Sequence, residues 1–161
     1  MDEARLYALA IYDDGAQRIL DGYRAHMIEC GYAGEQTTGI PHHITLCSLP
    51  LEMRREVMDM LNRSRRIPAF EVSLENIGSF ADRVLFVEPY VNNELSMLKN
   101  LFGNDPDWAA HTTMFLSDNG GALSAKSHLE QVFRPFRAKI TAVELYEFFP
   151  SKFLGRAELD S

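Results

Sequence analysis

The sequence is poor in several features that would define common classes of protein. It has two cysteines, Cys30 and Cys47, too few for a disulfide scaffold. No apolar run approaches the ~20 residues of a membrane-spanning helix. Lys and Arg number 16 against 23 Asp and Glu, which argues against a protein that coats duplex nucleic acid. The chain is therefore expected to be cytoplasmic and reduced, with neither a membrane nor duplex DNA as a partner.

The composition that is present is typical of a globular protein with a substantial core. The chain has 161 residues, of which 46% are hydrophobic and 24% charged. This length corresponds to one domain, and a chain of this size buries roughly two-thirds of its unfolded surface. We therefore expect residues 1–161 to form a single domain, present as a monomer.

Hydrophobic periodicity and turn residues predict an alternating series of strands and helices. The predicted strands are 4–12, 42–48, 69–76, 83–88, 109–116, 138–149 and 151–159. The predicted helices are 16–31, 51–65, 92–102 and 124–134. Residues 33–39 are predicted to form a loop, and a turn is predicted between Gly78 and Asp82.

The order of these elements contains a repeat without clear sequence identity. A strand, a helix and a second strand, at 4–12, 16–31 and 42–48, recur in the same order at 83–88, 92–102 and 109–116. In both halves the second strand is followed by a helix and another strand. The pattern predicts an α+β fold of two lobes, related by a pseudo-twofold axis, with outer helices and a central cleft.

The second strand of each half carries the sharpest chemical signal in the chain. The first strand contains His43 and Thr45, and the second contains His111 and Thr113, each as His-x-Thr followed by an apolar residue. Side chains alternate along a strand, so each His shares a face with its Thr. The predicted axis would bring both pairs to one site.

Two imidazoles and two hydroxyls suit cleavage of a phosphoester. Displacement at phosphorus requires a base for the entering oxygen and an acid for the leaving oxygen. Histidine can serve as either near neutral pH. The hydroxyls of Thr45 and Thr113 can donate to the nonbridging oxygens as negative charge develops. If both histidines take part, activity is expected to follow a bell between about pH 5 and 9.

Paired His-x-Thr-x motifs, half a chain apart, resemble those of the 2H phosphoesterase superfamily, the 2′-5′ RNA ligase-like and cyclic phosphodiesterase group. The resemblance covers nearly the whole chain, including residues 41–46, the segment 78–80 and residues 111–114. It implies a bilobal fold and chemistry without metal or other cofactor on 2′,3′-cyclic or 2′-5′ phosphodiesters. Its implied catalytic residues are His43 and His111, and its implied phosphate ligands are Thr45 and Thr113.

The residues after each motif distinguish this chain from a good RNA binder. Cys47 and Ser48 follow the first motif, and Phe115 and Leu116 follow the second, so no basic side chain is added to the cleft. The expected substrate is thus a nucleotide or short RNA end bearing a cyclic or 2′-linked phosphate. RNA ligase activity is not expected.

Further residues are candidates for the walls of the cleft. Cys47 and Phe115 are placed there by strand alternation, while Tyr146, Phe149 and Lys152 combine aromatic rings with a base that can contact a nucleotide. For these last three residues, a position in the core or at the rim agrees equally well with the sequence.

A short segment of the chain is rich in arginine. It suggests either a solvated helix face or a docking patch for RNA, and its arginines are Arg54, Arg55, Arg63, Arg65 and Arg66.

Two alternatives to this catalytic interpretation remain, and a third, a zinc site, is disfavoured by the predicted directions of its ligands. A zinc site could use His42, His43, Cys47 and His111, but His42 and His43 are predicted to face opposite ways. The same cleft could bind a nucleotide or phosphate without turning it over. The chain could also be a structural or partner-binding domain, in which case changes at His43 or His111 would affect no ligand.

Overall fold

A computed structural model describes residues 4–34 and 39–161 of the chain. The strands are β1 (Arg5–Tyr12), β2 (His43–Pro50), β3 (Phe70–Phe80), β4 (Val84–Pro89), β5 (Thr112–Leu116), β6 (Phe136–Phe148) and β7 (Lys152–Glu158). The helices are α1 (Asp14–Glu29), α2 (Arg54–Ser64), α3 (Asn93–Leu101) and α4 (Ala122–Val132). In the described ranges, no helix combines the length and apolar character that crossing a membrane requires.

The strands form one sheet that divides into two lobes. Its order is β2-β1-β6-β3-β4-β5, and β7 also pairs with β6. The long strand β6 joins the lobes, because residues 136–140 pair with β3 whereas residues 140–148 pair with β1. One lobe contains β2, β1 and β7, and the other contains β3, β4 and β5. All ladders between these strands are antiparallel.

The two faces of the sheet bury different side chains. The large core lies between one face and the helices, and includes Ala8, Leu20, Leu61, Leu98 and Leu129. A smaller cluster on the opposite face contains Leu9, Ile11, Ala142 and Tyr146. This second face lines the cleft, and the helices shield only the first.

The predicted α+β, two-lobed architecture is confirmed, with local differences. β3 continues through Gly78 to Phe80, so the predicted turn is shorter and is centred on Ala81, whose φ is +51°. Pairing with β4 across residues 74–80 provides the ladder that extends the strand. The strand predicted for 109–116 begins at Thr112. Part of the predicted loop 33–39, residues 35–38, lies outside the described residues.

Candidate active site

The two motif histidines are held in the same way. The Nδ1 of His43 lies 2.8 Å from the carbonyl oxygen of Pro41, and the Nδ1 of His111 lies 2.8 Å from that of Ala109. A carbonyl oxygen only accepts, so in both rings Nδ1 must carry the proton. Among the described residues neither Nε2 has a partner, which leaves that nitrogen of each ring for a ligand.

The threonines share a face of the sheet with the histidines. In the first lobe His43 pairs with Ile11 and Thr45 with Leu9, and both partners belong to the cleft-side cluster. In the second lobe Thr113 pairs with Phe86. The ring of Phe86 contacts the ring of His111, with their centroids 5.4 Å apart. Each lobe thus presents one imidazole and one hydroxyl to the cleft side of the sheet.

A β-bulge follows the threonine in both motifs. Ala8 pairs with Cys47 while Leu9 pairs with Thr45, which leaves Leu46 as an extra residue in β2. Likewise Leu85 pairs with Phe115 while Phe86 pairs with Thr113, which leaves Met114 extra in β5. An extra residue reverses the faces of all the residues beyond it. The repeat therefore extends to a backbone irregularity at equivalent positions.

The bulges change the placement of two predicted cleft residues. Cys47 pairs with the core residue Ala8 and packs against the large core, on the face away from His43 and Thr45. Burial raises the pKa of its thiol, which keeps it protonated near neutral pH. Phe115 is only 4% exposed and contacts Tyr32 from within the same core. Simple alternation placed both residues incorrectly because it omits the extra residue.

Side chains of the second lobe bind the backbone of the first at its motif. Thr112 Oγ1 donates to the carbonyl oxygen of His43 at 3.0 Å, and Trp108 Nε1 donates to that of Thr45 at 2.9 Å. The Thr112 hydroxyl has a single proton, so Tyr12 Oη, 2.7 Å away, must donate to it. Thr112 and Tyr12 are both buried. This chain of hydrogen bonds fixes the position of one motif relative to the other.

Replacing Thr112 by valine should disturb this contact between the lobes. The substitution preserves the shape of the side chain but leaves the buried Tyr12 hydroxyl without an acceptor and the His43 carbonyl without this donor. We expect the free energy of unfolding to fall by about 1–3 kcal/mol and kcat to fall with it. Urea denaturation and turnover assays measure the two effects. The control Thr112→Ser retains the hydroxyl, and equal behaviour of the two variants would contradict the assigned role.

Aromatic rings surround His111. Phe80 meets its ring edge-on, with the centroids 4.8 Å apart, and Phe86 contacts both rings. Phe86 lies directly over Gly78, where a Cβ would come within 2.6 Å of its ring. A glycine at this position lets the phenyl ring lie against the strand, and the ring then supports the imidazole.

His43 is held in its neutral form. Burial is the main cause, and together with the positive charges of His42, His111 and Arg24 it lowers the pKa of His43 to about 4. The hydrogen bond to Pro41 opposes this shift without cancelling it. Above about pH 4 the ring is therefore unprotonated at Nε2, the state that a general base requires.

The neighbouring His42 has a different environment. It is 4% exposed, with Nε2 2.8 Å from a carboxylate oxygen of Asp21. Its backbone amide donates to Gln17, and Arg24 lies 3.5 Å from its Nδ1. His42 thus faces α1 while His43 faces the cleft. Within residues 4–34 and 39–161, no three His, Cys, Asp or Glu side chains are grouped so as to hold a metal ion.

Three predicted wall residues near the C-terminus are placed differently from one another. Tyr146 belongs to the cleft-side cluster and stacks against Phe148, with a centroid distance of 5.7 Å. Phe149 is 70% exposed beside Phe148. Lys152 is exposed at the start of β7 and pairs with Glu147. Glu147 follows Tyr146 directly in β6, so Glu147 and Lys152 lie on the opposite face of the sheet from Tyr146. Tyr146 and Phe149 therefore fit a cleft-side role better than Lys152 does.

The arginine-rich segment lies behind the sheet. Val57 and Leu61 of α2 pack into the large core, on the face opposite the cleft. Arg63 pairs with Asp59, and Arg65 donates to the carbonyl oxygen of Arg156. This position favours the solvated helix face over a docking patch that continues from the cleft.

Sequence reasoning missed several residues that shape this site. Trp108, Thr112 and Tyr12 connect the lobes, and Glu144 and Arg156 form an ion pair on the cleft face. One signal was available: the residue within the first motif is Ile44, whereas its counterpart in the second is the polar Thr112. A hydroxyl at a core-facing strand position must find a partner.

Solved structures share this fold, whereas the comparisons by sequence gave no match. No family model and no curated protein matches the chain. Escherichia coli LigT crystallised with 3′-AMP is similar, with a TM-score of 0.67, 18% identity, and coverage of 99% of this chain and 100% of that one. LigT crystallised with phosphate has a TM-score of 0.64 and 19% identity, and the match covers 100% of each chain. The protein TT0787 of Thermus thermophilus has a TM-score of 0.66 and 14% identity, and the match covers 96% of this chain and 97% of that one. The chain therefore shares the fold of LigT and TT0787 over nearly its whole length.

Proposed function

We propose that the protein is a metal-independent phosphodiesterase that acts on 2′,3′-cyclic phosphates or 2′-5′ phosphodiester bonds of nucleotides and short RNA ends. One observation carries the proposal: both motif histidines have Nδ1 bound to a carbonyl oxygen two residues earlier, which frees Nε2. Such an arrangement serves proton transfer in both lobes. LigT structures with 3′-AMP and with phosphate support a nucleotide phosphate as the ligand of this fold.

The lowered pKa of His43 supports the following division of the two roles. His43 is neutral and takes a proton from water at Nε2, while the oxygen of that water attacks phosphorus. The bond from phosphorus to the leaving ribose oxygen breaks, and protonated His111 gives its Nε2 proton to that oxygen. Thr45 and Thr113 donate to the nonbridging oxygens as charge develops. Two imidazoles thus supply both proton transfers, so the mechanism needs no Lewis acid.

The rest of the substrate would lie on the cleft face of the first lobe. Tyr146, Phe148 and Phe149 are close to one another there, and a nucleobase can stack on such rings. These rings lie in the same lobe as His43. Tyr146 pairs with Tyr7 of β1, and Ile11 of the same strand pairs with His43. We further propose that the protein acts as a monomer in the cytoplasm, and its two free cysteines are typical of that reducing compartment.

Hydrolysis of a nucleoside 2′,3′-cyclic phosphate tests this function directly. We expect product formation in the presence of EDTA, and little change in kcat/KM between low and moderate salt, because the chain carries a net charge of −7. Chromatography resolves the 2′- and 3′-phosphate products. Binding of the product without turnover would favour the alternative of a non-catalytic nucleotide-binding module. A steep salt dependence with length-dependent RNA affinity would instead assign a role to the arginines of α2.

A further inference from the structure

A row of side chains crosses the cleft face of the first lobe. Thr45 of β2 pairs with Leu9, Leu9 pairs with Glu144 of β6, and Glu144 pairs with Arg156 of β7. Directly paired residues point to the same face of a sheet. Arg156 therefore lies on the same face as the proposed phosphate ligand Thr45, three strands away.

Two carboxylates hold the guanidinium group of Arg156. Its Nη1 donates to Glu144 Oε2 at 2.5 Å and its Nε donates to Glu158 Oε1 at 2.6 Å. The other oxygen of Glu144 accepts a hydrogen bond from Tyr146 Oη at 2.6 Å. Glu144 is nearly buried, whereas the Glu158 side chain is 64% exposed. The two glutamates and Arg156 together carry a net charge of −1, while the Nη2 edge of the arginine has no partner among the described residues.

Arg156 also lines a pocket that reaches the catalytic end of the first lobe. The cavity measures about 400 Å³, and its wall includes Asp13, Asp14, Pro41 and Arg156. Pro41 is the residue whose carbonyl oxygen holds His43. The aspartates add further negative charge to the wall. A group bound there meets hydrogen-bond donors of Arg156 in negatively charged surroundings, which favours an uncharged acceptor over an anion.

We propose that Arg156, held between Glu144 and Glu158, selects substrates that carry a single phosphate group. This inference rests on the proposed function and adds its substrate class. The scissile phosphate lies between the histidines, and the donors of Arg156 bind an uncharged oxygen or nitrogen of the sugar or base. A second phosphate, such as one on the 5′ oxygen, is repelled by the surplus carboxylate charge.

The test compares two probes, adenosine 2′,3′-cyclic phosphate and its 5′-phosphorylated form. The wild-type protein should show the higher kcat/KM for the first. Glu158→Gln removes one negative charge at an exposed side chain, so the variant should fold normally. It should raise the relative kcat/KM for the 5′-phosphorylated probe by about three- to tenfold at low salt, and by less at high salt. Glu130→Gln, an exposed position on α4 behind the sheet, is the matched control and should leave the ratio unchanged.

Two results would overturn the inference: preference of the wild-type protein for the 5′-phosphorylated probe, or a Glu158→Gln ratio equal to that of the control. Calorimetric binding of adenosine 3′-phosphate and adenosine 3′,5′-bisphosphate gives the same ratio without turnover. Binding that follows the predicted ratio in a protein without hydrolysis would refute the proposed function and support the selectivity. Absence of both binding and hydrolysis would refute both.

Discussion

Replacement of His43 or His111 by alanine is expected to lower kcat for cyclic phosphate hydrolysis by about 10²–10⁴-fold. Each change removes one of the two proton transfers in the proposed mechanism: His43→Ala removes the proposed acceptor for the proton of water, and His111→Ala removes the proposed donor to the leaving oxygen. Neither residue belongs to a hydrophobic core cluster, so neither change should unfold the protein. Steady-state kinetics with a nucleoside 2′,3′-cyclic phosphate, together with circular dichroism, measure activity and folding.

Two comparisons make this prediction specific. The double variant should be barely slower than either single variant, because groups that act as a unit are not additive. His26→Ala changes a histidine near the end of α1 and should leave kcat unchanged. Full activity in either cleft variant, or loss of activity on chelation with recovery on adding metal, would disprove the two-histidine mechanism.

The second large expected effect is a fall in kcat/KM at low pH. Because the pKa of His43 is lowered to about 4, the ring in the free protein is neutral above that pH and protonated below it. The kcat/KM should therefore fall about tenfold per unit as pH decreases below about 4. This places the acid limb below the range of pH 5–9 expected from unperturbed histidines.

Bound substrate should shift the acid limb in a known direction. An anionic phosphate beside His43 favours the imidazolium and raises the pKa of the ring in the complex. The acid limb of kcat should therefore lie at higher pH than that of kcat/KM. Circular dichroism at each pH separates titration from acid unfolding. An acid limb of kcat/KM between pH 6 and 7 would show that His43 is not the base assigned here.

The sequence was sufficient to predict the elements that carry the motifs. Turn residues and apolar spacing define β1, α1 and β2 and their repeated counterparts, and alternation correctly places His43 and Thr45 on one face. These features depend on the residues within each segment and not on the segments that pack against it. The two-lobed fold is predictable for the same reason, because the repeat is visible in the order of the local elements.

The bulges could not be predicted in this way. Leu46 and Cys47 are both apolar, and so are Met114 and Phe115. The sequence therefore does not show where the alternation of side chains between the two faces is interrupted. The break depends on pairing with Ala8 and Leu85 in neighbouring strands. Likewise, the partners of Thr112 and Arg156 are set by contacts between distant segments.

The contact between Thr112 and the His43 carbonyl lies on a seam where the two terminal strands of the sheet meet. β2 and β5 are the ends of the strand order, and unpaired strand edges promote association between molecules. Here, Thr112 of β5 and Trp108, which precedes that strand, donate to two carbonyl groups of β2, so the second lobe satisfies part of the β2 edge. Loss of these two hydrogen bonds would therefore have two effects at once: it would free the backbone that positions His43, and it would leave carbonyl groups on the β2 edge able to accept hydrogen bonds from strands of other copies of the chain.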